Sequence, residues 1–246
     1  MKNDDGRAEP PNGLMLYHLE FSTCSQKVRL ALAEKDLAYG SHLIDRTKGE
    51  LLSDWYLALN PNGVVPTLQH HGRPVTDSSV ICEYLDEVFP EPPLSPRSAL
   101  GRAQMRAWMR YFEEVPTTAI RIPSFNQFKG LHRATVGEAG WLAYTEKLPL
   151  RKQFYRQMGA NGFDSEKTEE SLERLKNCLR RVSNALADGR RFLLGEAYTI
   201  ADIVLVPTVV RLEDLKLTDL WSDLPNVARW YESVQARPSF AIAFAG

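Results

Sequence analysis

A short polar turn, residues 21–25, follows an apolar run and precedes a segment of helical periodicity. The start of a helix offers unpaired N–H groups and a partial positive charge, which stabilise anions and thiolates. Ser22, Thr23 and Cys24 place two hydroxyls and a thiol at this start. They are candidate catalytic residues that donate a hydrogen bond to a bound sulfur anion, with Ser22 also binding that anion. In a simpler interpretation, Ser22 or Thr23 only caps the helix.

A second motif places a proline just before an apolar strand, in the sequence NPNGVVPTL of residues 60–68. We predict that the Val65–Pro66 peptide is cis, a form that costs only about 0.5–1 kcal/mol before proline. A cis peptide there turns the N–H and C=O of Val65 outward as an unpaired strand edge. An extended peptide adds to such an edge by β-augmentation, so Val65 and Pro66 are candidate ligand-binding residues.

A third polar cluster, residues 76–79, precedes an apolar helical stretch. Small hydroxyl residues at a helix start bind a carboxylate, and an aspartate beside them meets an ammonium group. One amino-acid head group carries both charges, so Asp77 and Ser78 are candidates for binding it. The alternative is again a helix N-cap.

The elements that must position these residues change character along the chain. From residue 14 to about 90, strands and helices alternate: we predict strands at residues 14–19, 42–44, 65–69 and 73–76, and helices at 22–36 and 79–88. The first strand–helix–strand unit implies a parallel pair, and the last two strands form a hairpin. Residues 91–97 are proline-rich and predict a linker. Residues 98–246 show helical periodicity throughout.

The three motifs, in this order and spacing, resemble the cytosolic glutathione transferase family. STCSQKVRLAL is similar to the serine motif of zeta-class members, NPNGVVPTL to the cis-proline loop, and DSSVICEYLDE to the γ-glutamyl site. Further along, FLLGEAYTIADI resembles the helix-capping motif and ARPSF the C-terminal signature. The implied fold class is α/β plus all-α, a thioredoxin-like domain followed by a helical bundle. The implied domains are a disordered tail (1–13), a glutathione-binding domain (14–90), the linker (91–97) and a second-substrate domain (98–246).

The resemblance also implies how glutathione, the co-substrate, is bound. It lies along the edge of Val65 with its γ-glutamyl end at Asp77 and Ser78 and its thiol at Ser22. Omega-class relatives have a lysine where this chain has Leu59. Lys48 is therefore our candidate for the glycyl carboxylate.

The second substrate is expected to be an apolar, aromatic small molecule, because the start of the helical half is rich in large apolar side chains. The same side chains also fit an ordinary domain core, and both interpretations stay open. The candidate pocket residues are Tyr111, Phe112, Ile120, Phe125, Trp141 and Tyr144.

Two kinds of relative within the family are especially similar. The turn with Ser22 and Cys24 resembles that of tetrachlorohydroquinone reductive dehalogenases, where a serine and a cysteine handle a glutathione adduct. The stretch VICEYLDEVFPE resembles bacterial glutathione-dependent β-etherases, which cleave lignin-type aryl ethers. We therefore expect thioether formation on an aromatic compound, with β-aryl ether cleavage ahead of dehalogenation or isomerisation. The rival interpretations are a non-catalytic binding protein on the same fold and a glutaredoxin-like reductase that uses Cys24.

Composition excludes several other classes. The chain has 246 residues, is 43% hydrophobic and 25% charged, and carries a formal net charge of -1, which gives no electrostatic basis for binding nucleic acid or anionic lipid. Its three cysteines are far apart without a CxxC pair, so neither a metal site nor a dithiol motif is expected. Residues 1–13 lack the apolar core of a signal peptide, and no apolar run is long enough to span a membrane. These features favour a cytoplasmic protein, and the family resemblance favours a homodimer.

Overall fold

The structure, a computed structural model, describes residues 10–128, 130–159 and 162–244. The first nine residues of the predicted disordered tail lie outside the described residues. The chain enters the fold through a single 3-10 turn at Pro11–Gly13.

One four-stranded sheet lies in the N-terminal part. Its strands are β1 (Leu14–His18), β2 (Gly40–Leu43), β3 (Thr67–His70) and β4 (Arg73–Thr76), in the spatial order β2-β1-β3-β4. β1 and β2 are parallel, with Met15 opposite Gly40, whereas β1–β3 and β3–β4 are antiparallel. Both the parallel pair and the hairpin predicted from the sequence are confirmed.

Three helices accompany this sheet: α1 (Thr23–Glu34), α2 (Asp54–Leu59) and α3 (Ser78–Val88). Leu16 and Leu68, opposite each other on β1 and β3, are fully buried in one core with Val28 of α1 and Ile81 of α3. The apolar residues of α1 and α3 therefore lie against the same face of the sheet. The short helix α2 was not predicted.

The rest of the described chain is helical, as predicted, so the expected fold class is confirmed. The apolar side chains Met105, Met109 and Phe112 of one helix and Leu175, Leu179 and Val182 of another are buried. The helices are α4 (Ala99–Glu114), α5 (Pro116–Ala119), α6 (Arg121–Phe128), α7 (Gly130–Glu146, broken at Gly137), α8 (Lys152–Arg156), α9 (Ser165–Ala185), α10 (Ile200–Asp214), α11 (Pro225–Gln235) and α12 (Pro238–Phe244). Across the described ranges, no helix combines the length and apolarity needed to cross a bilayer.

Helix α10 is buried over almost its whole length and forms the centre of the helical part. It begins with a capping box between Thr199 and Asp202, inside the segment that resembles the family's helix-capping motif. The buried carboxylate of Asp202 also accepts hydrogen bonds from the N–H of Leu193 (3.0 Å) and from the indole of Trp230 (2.9 Å). One acidic side chain thus joins the start of α10 to the preceding loop and to α11.

Residues 89–98 connect the two parts without a helix or strand. Buried Lys35 at the end of α1 pairs with Asp86 at 2.7 Å and donates to the carbonyl oxygens of Phe89 and Pro92. This connection contains the proposed linker at residues 91–97, and residues 14–90 and 98–246 remain our proposed domains.

Candidate active site

A cleft of about 670 Å³ lies between the α/β part and the helical part. The α/β part contributes the turn before α1, the end of β2 and the loop before β3, and the helical part contributes α6, α7, α8 and one side chain of α10. Its described lining residues include Ser22, Thr23, Cys24, Arg46, Thr47, Val65, Ile120, Arg121, Phe125, Trp141, Tyr144, Arg151, Tyr155 and Arg211. Three of the sequence-predicted clusters therefore meet in one place: the turn at residues 22–24, Val65 and part of the aromatic set.

Ser22 is the N-cap of α1, and its Oγ accepts the backbone N–H of Ser25 at 3.3 Å. This bond uses a lone pair of the oxygen and leaves the hydroxyl hydrogen available to a second partner. Because Ser22 also lines the cleft, the capping interpretation and the anion-binding interpretation are compatible. One oxygen atom can serve both.

The turn before Ser22 is held from the helical part by Arg211 of α10. The guanidinium donates to the carbonyl oxygen of Phe21 and to Ser124 Oγ (3.4 Å), and pairs with Asp214 at 3.3 Å. Burial lowers the pKa of Arg211. Sequence reasoning missed this residue; the available signal was one basic residue near the end of an otherwise apolar helix.

The Val65–Pro66 peptide is cis, as predicted. The preceding carbonyl, that of Val64, accepts hydrogen bonds from the hydroxyl of Tyr56 (2.7 Å) and the side-chain amide of Asn60 (2.9 Å), which fix the loop. Within the described ranges, neither the N–H nor the C=O of Val65 has a hydrogen-bond partner. An unpaired strand edge therefore opens into the cleft.

Asp77 and Ser78 lie at the start of α3. The Asp77 carboxylate accepts from the N–H groups of Ser79 (3.0 Å) and Val80 (3.2 Å), so it is an N-cap, and Ser78 is buried. Asp77 comes directly after Thr76 of β4, and Thr76 lies opposite Thr67 of β3. Thr67 comes directly after Pro66, so Asp77 is next to the cis-proline segment in the sheet. Asp77 and Ser78 are not among the residues that line the cleft, but they lie beside the strand edge at Val65. Their role in binding an amino-acid head group stays a prediction.

The assignment of Lys48 to the glycyl carboxylate stays a prediction. Its side chain is 77% exposed, and its ammonium pairs with Asp45 at 3.2 Å. Hydrogen bonds from Thr47 and from Lys48 lower the pKa of Asp45 to about 2. The same loop lines the cleft through Arg46 and Thr47, so Arg46 is a second candidate for the cation on this side.

The predicted aromatic pocket divides into two groups. Ile120, Phe125, Trp141 and Tyr144 line the cleft, where the rings of Trp141 and Phe125 meet Tyr155 at centroid distances of 5.5 and 5.3 Å. Tyr111 and Phe112 do not. Phe112 is fully buried and stacks on Trp108, and Tyr111 lies under the guanidinium of Arg181 at 4.0 Å. Their helix turns this face toward the core rather than the cleft, so these two assignments are corrected.

Cys24 is the cysteine that lines the cleft, and it is partly exposed. Cys82 and Cys178 are buried, and burial raises the pKa of both thiols, that of Cys178 to about 12. One turn beyond Cys24, the buried ammonium of Lys27 pairs with Glu113 of α4 at 2.7 Å. Among the described residues, no group of three or more His, Cys, Asp or Glu side chains is arranged to hold a metal ion.

Comparison with known proteins agrees with this geometry. The family described as "Glutathione S-transferase, N-terminal domain" matches residues 21–88, and "Glutathione S-transferase, C-terminal domain" matches residues 165–233. Protein LigF of Sphingobium sp. (strain NBRC 103272 / SYK-6) is 29% identical over 94% of this chain and 93% of its own length. The crystal structure of β-etherase LigF has a TM-score of 0.82 at 28% identity, covering 94% of this chain and 98% of that one.

Two further relatives have different activities in their names. Maleylacetoacetate isomerase of Dictyostelium discoideum is 41% identical over 93% of this chain and 92% of its own length. The tetrachloro-p-hydroquinone reductive dehalogenase of Sphingobium chlorophenolicum is 29% identical over 93% of this chain and 94% of its own length. Members of the family use glutathione as a co-substrate. With its two matching domains, its full-length relatives and a cis-proline edge beside a helix-start serine, the chain belongs to the glutathione S-transferase family.

Proposed function

We propose that this protein is a transferase that activates the thiol of glutathione for attack on an apolar, aromatic electrophile. The observation that carries this proposal is that Ser22, the unpaired edge of Val65 and the ring of Trp141 all border one cleft. A peptide edge, a thiolate-stabilising hydroxyl and an aromatic wall are the parts that such a reaction needs.

Glutathione lies along Val65 in this proposal, with its γ-glutamyl end toward Asp77 and Ser78 and its glycyl carboxylate toward Arg46. A free thiol with a pKa near 8.5 is only about 3% ionised at pH 7. Lowering that pKa by about two units makes roughly three-quarters of it thiolate. The hydroxyl of Ser22 and the N-terminus of α1 supply this stabilisation by hydrogen bonding and by their partial positive charge.

The preferred reaction is cleavage of a β-aryl ether. The glutathione thiolate forms a C–S bond at the carbon that carries the ether oxygen, the C–O bond breaks, and the aryloxide leaves with the bonding electron pair. Aryloxide then takes up a proton, so the products are a thioether and a phenol. The likeness to LigF over nearly the full length of both chains supports this choice.

Two other reactions have specific support. Cys24 in the cleft favours reductive dehalogenation, which starts when glutathione displaces the halide to give an aryl–glutathione conjugate. The Cys24 thiolate then attacks the sulfur of this conjugate, a Cys24–glutathione disulfide forms, the C–S bond to the ring breaks, and the ring carbon takes up a proton. A second glutathione attacks the disulfide, which releases oxidised glutathione and restores Cys24. The 41% identity to a maleylacetoacetate isomerase favours isomerisation, in which the thiolate adds to a double bond and leaves again after rotation.

Product analysis with labelled glutathione separates these reactions. The enzyme is offered a β-aryl ether, a chlorinated hydroquinone and a chloronitroarene, and Cys24→Ala is compared with the parent. We expect a stable glutathione–aromatic conjugate from the ether in both proteins. Oxidised glutathione and a dehalogenated product, both lost in the variant, would establish the dehalogenase instead. Retention on glutathione resin without turnover of any electrophile would indicate a non-catalytic binding protein.

We also propose a homodimer in the cytoplasm. Family resemblance supports the dimer. The three free cysteines support the cytoplasm, because thiols stay reduced in that compartment. Analytical ultracentrifugation tests the dimer, and a single monomeric species at micromolar concentration would contradict it.

A further inference from the structure

Arginine is concentrated in the wall of the cleft. Among its described lining residues, Arg46, Arg121, Arg151 and Arg211 are cationic, whereas Glu20 alone is anionic. The whole chain has 30 basic and 31 acidic residues, so this excess of positive charge is local. The cleft therefore has a positive potential toward whatever enters it.

The four arginines differ in what they contact. Arg211 is engaged by Asp214 and by the carbonyl of Phe21, and Arg46 is exposed on the α/β side. Arg121 and Arg151 lie on the helical wall, at the start of α6 and just before α8. In the part of the chain that the structure describes, no hydrogen bond or ion pair engages either of these two guanidinium groups.

Arg121 and Arg151 are partly buried, and both line the helical side of the same cleft. Burial and the charge of Arg151 both lower the pKa of Arg121, yet a guanidinium stays protonated at neutral pH because its ordinary pKa lies above 12. The nearby carboxylate of Glu113 is already paired with Lys27. The charge of Glu113 acts in the opposite direction and raises the pKa of Arg121, but within the described ranges no ion pair joins it to either arginine. Two partly buried like charges in this position are costly, and a bound anion reduces that cost.

We propose that the electrophile carries a carboxylate, which Arg121 and Arg151 bind together while the apolar body of the substrate lies against Trp141 and Tyr155. This inference rests on the proposed function and narrows its substrate class. A guanidinium offers paired N–H donors in a planar fork that matches a carboxylate. Arg121 and Cys24 line the same cleft, so an anion bound by Arg121 shares that cleft with the site of thiol attack.

Glutathione brings carboxylates of its own, but they lie elsewhere in the proposed pose. The γ-glutamyl end lies at Asp77 and Ser78, and the glycyl end lies on the α/β side with Arg46. Arg121 and Arg151 belong to the opposite, helical wall with the aromatic rings. Their anion therefore comes from the second substrate.

A pair of substrates that differ only in this charge tests the inference. We would measure kcat/KM for glutathione with 4-chloro-3,5-dinitrobenzoate and with its methyl ester, in the parent, Arg121→Met, Arg151→Met and Arg121→Lys. We expect the parent to prefer the acid once each kcat/KM is divided by the uncatalysed rate constant of the same compound with glutathione. Each methionine variant should lose on the order of 10- to 100-fold on the acid, as expected for one charge-assisted hydrogen bond. Turnover of the ester should change less than about threefold. Arg121→Lys keeps the charge and should retain part of the preference.

Arg180→Met is the matched control, because Arg180 is an exposed residue of α9 that pairs with Glu173 at 3.6 Å. It should leave the acid-to-ester ratio unchanged. An equal loss on acid and ester in the cleft variants would overturn the inference, and so would a parent that prefers the ester after division by the uncatalysed rate constants. Weaker binding of glutathione to Arg121→Met would also overturn it, because Arg121 would then bind the co-substrate and not the electrophile.

Binding of unreactive 3,5-dinitrobenzoate to the glutathione complex separates this inference from the proposed function. If the parent turns over no electrophile, the transferase proposal fails on that result alone. The inference then stands if Arg121→Met and Arg151→Met each weaken dinitrobenzoate binding about tenfold or more relative to Arg180→Met. It fails if all variants bind equally.

Discussion

Replacing Ser22 with alanine removes two interactions that share one oxygen atom. The first is the N-cap bond from the N–H of Ser25, at 3.3 Å. The second is the proposed hydrogen bond from the hydroxyl to the glutathione thiolate. The two losses have different consequences, because the first concerns folding and the second concerns the ionisation of bound glutathione.

The expected magnitudes follow from these two bonds. A hydrogen bond to a charged group contributes about 1.5–3 kcal/mol, which equals a rise of about 1.1 to 2.2 units in the pKa of the bound thiol. From roughly three-quarters thiolate at pH 7, the fraction then falls below about one-fifth. The rate at pH 7 should drop about 4- to 40-fold, and the acid limb of the pH–rate profile should move to higher pH. Loss of the cap should cost about 1 kcal/mol of stability.

Ser22→Gly is the matched control. Glycine lacks the hydroxyl but costs only a few tenths of a kcal/mol as an N-cap. Titration of thiolate absorbance in the glutathione complex should give the same raised pKa for both variants, while urea unfolding should separate them. An unchanged thiol pKa would refute the role of Ser22 and assign the stabilisation to Thr23 or to backbone N–H groups.

Three further predictions concern other residues. Cys24→Ala should leave conjugate formation within about threefold in steady-state assays, because the proposed thiolate is that of glutathione; a loss near 100-fold would contradict this. Glu113→Ala should destabilise the protein by about 3 kcal/mol in urea unfolding, and by more than Lys27→Met, because it leaves a buried ammonium unpaired; the reverse order would refute this account. The pKa of His18 is lowered from 6.5 to about 4 by burial, with Arg29 and His42 adding to the effect. The unfolded chain therefore binds a proton that the folded one does not, and stability should fall as the pH drops from about 6.5 toward 4. His18→Gln should flatten this dependence in urea titrations across that range, and an equally steep profile would assign it to other groups.

The elements of the α/β part could be predicted from the sequence because each has a strong local signal. Apolar runs predicted β1 and β3, and the short polar segment between two apolar runs predicted the hairpin. α2 has only six residues, too few for periodicity to reveal it, and it begins at Ser53, whose Oγ accepts the N–H of Tyr56 at 3.4 Å. Such a short helix depends on its cap and its tertiary contacts.

The site could be predicted where one segment supplies the whole feature, as at Ser22 and Val65. It could not be predicted where the answer depends on which way a helix faces. Tyr111 and Phe112 have the residue types of a pocket, yet α4 turns them into the core. Lys48 and Arg46 are two residues apart on one loop, and only the fold decides which one reaches the cleft. The arginines of the helical wall come from separated segments, so no local pattern joins them.

The hydrogen bond from Arg211 to the carbonyl oxygen of Phe21 makes the active site depend on the helical part of the molecule. The turn with Ser22 lies in the first fifth of the chain, but a side chain from the last fifth holds it in position. Lys27 and Glu34 of α1 are tied in the same way, to Glu113 and to Arg237. Loosening of the helical part should therefore abolish catalysis before the sheet melts. A chimera that joins this α/β part to the helical part of another protein would lack the hydrogen bond from Arg211 that positions the turn with Ser22.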